Sequence, residues 1–115
     1  MAKQKERKAI GIPLNDIPIP KRFMLGGIWI DVEVTEDLVH KDNAFGQANF
    51  NDNKIKIQPS VQGLPRSIQD IERTFFHELM HFLCHMAGEY DLRDNEQKID
   101  VFSRLLHQAL KMSVF

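Results

Sequence analysis

From position 28 apolar and polar residues alternate: Ile28, Ile30, Val32 and Val34 share one side, Trp29, Asp31, Glu33 and Thr35 the other. A period of two is the pattern of a strand with one buried face. Two further runs, 44–50 and 54–58, flank Asn51-Asp52-Asn53, whose residue types tolerate tight-turn dihedrals, and this predicts a hairpin. The expected result is a small antiparallel sheet of about three strands.

After the prolines at 59 and 65 the period changes. Ile68, Ile71, Phe75, Leu79, Phe82 and Met86 recur at three- and four-residue steps, the spacing of a helix with one apolar stripe. Ser67 and Asp70 resemble a capping box before it, and Gly88 is a natural stop after it. Asp94 with Gln97 repeats the capping pattern, opening a second helix over 95–111 whose stripe is Ile99, Phe102, Leu106 and Leu110. Two helices packed on a small sheet give an α+β fold. The prolines at 13, 18 and 20 make the preceding stretch extended. The division expected is therefore a tail and extended segment over 1–22 and one domain over 23–115.

Composition narrows the class. At 115 residues there is room for one modest core. A net charge of −1 gives no overall field toward nucleic acid or an anionic membrane, and no apolar run approaches the roughly 18 residues of a membrane span. The basic N-terminus, residues 1–9, reads as a frayed tail without a secretory signal. The single cysteine, Cys84, allows no intramolecular disulfide and reads as a small buried hydrophobe. A cytoplasmic protein is the expectation.

The chemistry concentrates in His77-Glu78-Leu79-Met80-His81, in the second half of the first helix. Residues i and i+4 lie on one helical face about 6 Å apart along the axis, so both imidazoles can reach one cation. Glu78 is rotated by about 100°, off the cation but near a water in its open position. A third ligand is needed. Glu96 follows His81 at a distance that lets the chain turn and return alongside, and a carboxylate suits the positive end of the second helix. Asp91, in the intervening loop, is the alternative. His85 lies about 12 Å from His77 along the axis, too far for the same site. Asp100, one turn after Glu96, is placed to accept a hydrogen bond from the outer nitrogen of a ligating histidine.

His77-Glu78-x-x-His81 followed by Asn95-Glu96-x-x-x-Asp100 resembles the gluzincin pattern of zinc peptidases. Over residues 44–106 it more closely resembles the minimal ImmA/IrrE-type and phage-encoded metallopeptidases, in which a strand hairpin precedes the metal helix and the second helix reads Glu-x-x-x-Asp-x-Phe, here Glu96, Asp100 and Phe102. The resemblance implies a minimal zincin core and Zn2+ held by His77, His81 and Glu96. It also implies Glu78 as general base and a peptide or protein substrate, with a regulatory protein as target. It further implies that the substrate pairs with the strand carrying Gly46, Gln47 and Ala48. Tyr90 and His107 are the side chains considered for stabilising an oxyanion, His107 being remote by helix geometry. The competing expectation is a non-catalytic module in which zinc staples a small core.

Overall fold

In the computed structural model, residues 16–41 and 44–113 are described, so the expected N-terminal tail over 1–9 lies outside them. The sheet contains four strands: β1 (Arg22–Leu25), β2 (Ile28–Val34), β3 (Gly46–Asn49) and β4 (Lys54–Ile57). Their order is β1-β2-β4-β3, and it is mixed rather than antiparallel. β1 and β2 form a hairpin across Gly26-Gly27, both at positive φ, as a two-residue turn of the mirror-image type requires. β3 and β4 form the expected hairpin, its turn held by Asn49 Oδ1 accepting from Asp52 N–H at 3.1 Å. β2 and β4 are parallel, with Val32 level with Ile55. Alternation fixes which face a strand buries but not its direction. The parallel pair arises because the chain between them, through α1 (Leu38–Lys41) and β3, makes a crossover instead of a tight turn.

One face of the sheet carries Ile30, Ile55 and Ile57, all fully buried against α2 (Ile68–Met86), with Phe75, Phe76 and Phe82. Edge-to-face pairs, Phe50 on Phe82 at 5.0 Å and Phe23 on Phe75 at 5.9 Å, fill the layer between. Each such side chain contributes about 1.5–3 kcal/mol on burial. The other face is open: Arg22 lies over the Trp29 ring at 4.0 Å, and Lys54 pairs with Glu33 at 3.4 Å. Ile17 and Ile19 of the extended segment also pack on the core.

α2 begins as expected, with Ser67 Oγ accepting from Asp70 N–H at 3.1 Å, and Gly88 follows its end at positive φ. The expected loop beyond contains a short helix, α3 (Tyr90–Arg93). The last helix, α4 (Glu96–Lys111), is capped by Asn95, whose Oδ1 accepts from Lys98 N–H at 3.1 Å, so the Asp94–Gln97 box is displaced by one residue. Asp94 instead pairs with Arg93.

The buried face of α4 also departs from the apolar stripe. Ile99 is buried as expected, but Phe102 and Leu110 are exposed, while Ser103, His107 and Lys111 are buried. The reason lies across the helix seam. Glu72 of α2 is wholly buried and accepts from His107 Nε2 (2.8 Å), Lys111 Nζ (2.9 Å) and the Ile17 N–H (2.9 Å). A buried carboxylate must be paired, and α4 turns its polar residues inward to do so. No helix among the described residues is long and apolar enough to cross a membrane.

Candidate metal centre

α2 and α4 run antiparallel, bringing Glu96 to the face that displays His77 and His81. His77 Nε2 lies 2.9 Å from Glu96 Oε2, and His81 Nε2 lies 2.8 Å from Glu96 Oε1. The donor atoms of these three side chains fall within 4.8 Å of one another, a group able to hold a metal ion. Asp91 is not part of it.

The outer nitrogens show what that group accommodates. His81 Nδ1 is 2.7 Å from the carbonyl oxygen of Arg93. A carbonyl only accepts, so Nδ1 carries the proton, and in a neutral ring the Nε2 lone pair points at a carboxylate oxygen. Two acceptors face to face need a shared positive charge between them, either a proton or a cation. His77 is arranged similarly, with Nδ1 3.6 Å from Asp100 Oδ1, an ion-pair distance longer than a hydrogen bond. Donors around a tetrahedral cation with bonds of about 2.0–2.2 Å lie roughly 3.4 Å apart, within the range the three side chains span. The residues therefore fit a cation.

Arg93, which the sequence pattern did not single out, supports this arrangement. Its guanidinium donates to Asp94 at 2.8 and 3.1 Å, reaches His85 Nδ1 at 2.9 Å and lies over the rings of Phe50 and Tyr90. These contacts fix α3 and thus the carbonyl that orients His81. The histidine-orienting group is a main-chain oxygen, which leaves no trace in residue identity. His85 stacks on Phe50 with centroids 4.3 Å apart, away from the metal group. Cys84 is buried, and burial, reinforced by the nearby Glu89 carboxylate, raises its thiol, as suits an inert side chain.

A cleft of about 790 Å³ runs over the group, bordered by β3, α2 and α4. Gly46, Gln47 and Ala48 line it, while Tyr90 does not; that ring is exposed beside Arg93. His107 is far from the group, bound to Glu72. Glu78 lines the cleft at only 7% exposure. Burial pushes its carboxyl up to about 7, the Glu96 carboxylate adding to the rise and His77 opposing it. A cation held beside it acts in the opposite direction.

No protein-family model, curated protein or solved structure matches this chain. The site's meaning rests on its own geometry.

Gly46 has a stricter role than an open ledge requires. A Cβ there would lie 2.5 Å from Thr74 Cγ2 and 2.8 Å from Glu78 Oε2. Absence of a side chain is what lets β3 approach α2 and hold the Glu78 carboxylate in place. Gly46→Ala is expected to shift Glu78 and β3 apart, lowering thermal stability by about 1–3 kcal/mol while metal stoichiometry stays at one. Calorimetric melting together with metal titration checks this; an unchanged melting temperature would show that the strand approaches less closely.

Proposed function

We propose that the chain is a zinc-dependent endopeptidase. The observation that carries this reading is the convergence of His77, His81 and Glu96, with a buried carboxylate, Glu78, beside them in a cleft edged by an open strand. Two imidazoles and one carboxylate are a donor set that suits zinc and leaves one position open.

β3 is the edge strand of the sheet. Gln58 N–H donates to the Phe45 carbonyl at 2.8 Å, so in the alternating antiparallel ladder Phe45, Gln47 and Asn49 turn their main-chain groups toward β4. Gly46 and Ala48 then direct theirs to the open edge. An extended peptide can add to that edge, and strand addition supplies affinity without regard to sequence.

Zinc at the site would supply a Lewis acid that polarises the scissile carbonyl. The remaining work falls to the chain. Gly46 and Ala48 hold the peptide extended, and the Arg93 carbonyl and Asp100 keep the imidazoles turned with Nε2 inward. Glu78 accepts a proton from the attacking water and returns it to the departing amine.

A second reading has its own support: Glu96 bridges α4 to α2, so a metal ion there would also staple the two helices, as in a non-catalytic zinc-stabilised module. Peptide-library digestion by protein loaded with one equivalent of zinc tests the proposal. Cleavage abolished by a chelator and restored by zinc is the expected result. Zinc binding without cleavage of any peptide would favour the module.

A further inference from the structure

The cleft has two unlike ends. Near the C-terminal half of α2 it is bordered by Phe50 and Arg93, whose guanidinium is committed to Asp94 and His85. At the other end, where β3 begins, stand Arg73, one turn before His77, and Arg104, one turn beyond Asp100. His77 lies against Asp100, and Glu72 against His107, so the antiparallel helices bring the two arginines level. Both also line a second depression of about 540 Å³ on the α2–α4 seam, with Val101 and Leu105. They form the ridge between the cleft and this seam.

Neither guanidinium is fully used. Arg104 engages Asp100 Oδ2 through Nε at 3.1 Å. Arg73 has only a loose pair with Asp70 at 4.0 Å. Both side chains are more than half or about half exposed, at 59% and 50%. Elsewhere the cleft presents Glu78, Asp94 and Glu96, which repel an anion, while Asp100 lies beside Arg104 and is paired with it. Beyond the ridge, the outward face of α4 exposes Val101 and Leu105, because its polar residues are drawn inward to Glu72.

We infer that Arg73 and Arg104 form a carboxylate-binding subsite, selecting polypeptide segments that carry an acidic side chain over the start of β3 and an apolar side chain on the Val101–Leu105 seam. The guanidinium fork matches a carboxylate in a way an ammonium does not, and two forks at one end of an extended site fix register as well as charge. The inference rests on the peptidase reading for the cleft's use, but its chemistry can be read by binding alone.

The test uses matched peptides with Glu, Gln or Lys scanned through each position, presented to zinc-loaded protein. Cleavage is followed with the wild type, and affinity is followed by fluorescence anisotropy with Glu78→Gln. A preference of about tenfold for Glu over Gln at one position, on one side of the cleaved bond, is expected. In Arg73→Gln/Arg104→Gln that ratio falls to about one, and in Arg73→Glu/Arg104→Glu it inverts in favour of Lys, a reversal that a merely structural role would not produce. Cleavage without Glu preference, or a preference that survives the double Gln variant, overturns the subsite and leaves the peptidase reading standing. Absence of cleavage with a Glu preference in binding that the arginine variants remove overturns the peptidase reading and keeps the subsite. Equal binding of Glu and Gln peptides with no cleavage overturns both.

Discussion

Glu78→Gln protein is expected to bind one zinc ion per chain, as the wild type does, and to lose peptide turnover by about 10²–10⁴-fold. The separation follows from position. Glu78 is not among the three converging donors, so metal stoichiometry should not depend on it. Its carboxylate is nevertheless buried in the cleft, where the proposed mechanism needs a proton acceptor, and it is fixed against β3 by the missing side chain at Gly46. Gln preserves shape and hydrogen bonding but cannot take a proton. His81→Ala should behave oppositely, releasing the metal and lowering the melting temperature in zinc-containing buffer. Metal analysis with single-turnover cleavage distinguishes the two variants. If Glu78→Gln retained turnover, the general-base role would pass to another group; if neither protein cleaved any peptide while both bound zinc, the non-catalytic module would become the better account.

The other large effect lies away from the cleft. Glu72→Leu is expected to destabilise the fold by about 3–5 kcal/mol, on the order of 10–20 °C in melting temperature, because it strands the Lys111 ammonium and the polar edge of His107 in a buried seam. Adding Lys111→Met to Glu72→Leu should recover part of the loss, since a buried ion pair replaced as a whole by apolar groups is often tolerated. Thermal melts of the two single variants and the double complete the cycle; strict additivity would mean that the pair is not coupled.

The same network carries a pH signature. Burial raises the Glu72 carboxyl, but hydrogen bonds from His107, the Ile17 N–H and Lys111, with the Lys111 charge, outweigh that and hold it below the usual carboxylate value. A carboxyl lower in the folded than in the unfolded state contributes stability in full above the unfolded value of about 4.3, and this is lost as pH falls through the folded value. Wild-type stability should therefore drop more steeply than that of Glu72→Leu as pH is lowered below about 4.5.

How far the sequence disclosed this molecule depended on whether the information was local. The spacing of His77 and His81, the Ser67 cap, the Gly88 stop and the turn before β4 are local, and each sits where the pattern put it. Glu96 needed only one further step, that a chain leaving α2 returns antiparallel to it. The hairpin of β1 and β2 was not read from the sequence pattern, which predicts about three strands instead of four: Gly26-Gly27 is a turn signal, but the four-residue strand before it lies behind three prolines and resembles the end of an extended segment. The parallel pairing of β2 with β4 was not legible, because side-chain alternation is the same in either direction. Nor was the inward turn of α4. Ser103, His107 and Lys111 look like a solvent face until Glu72 is known to lie opposite, and that is a long-range fact. The Arg93 carbonyl behind His81 is hidden for another reason, since every residue has one.

The unpaired rim of β3 bears on self-association. An open strand edge ordinarily invites the edge of a neighbouring sheet, the first step toward ordered aggregation. Here that edge borders a trough shared with α2 and α4, so a chain that pairs with it also lies against those helices. Under the peptidase reading, the main-chain groups that make an open edge a liability are the same ones a substrate would use.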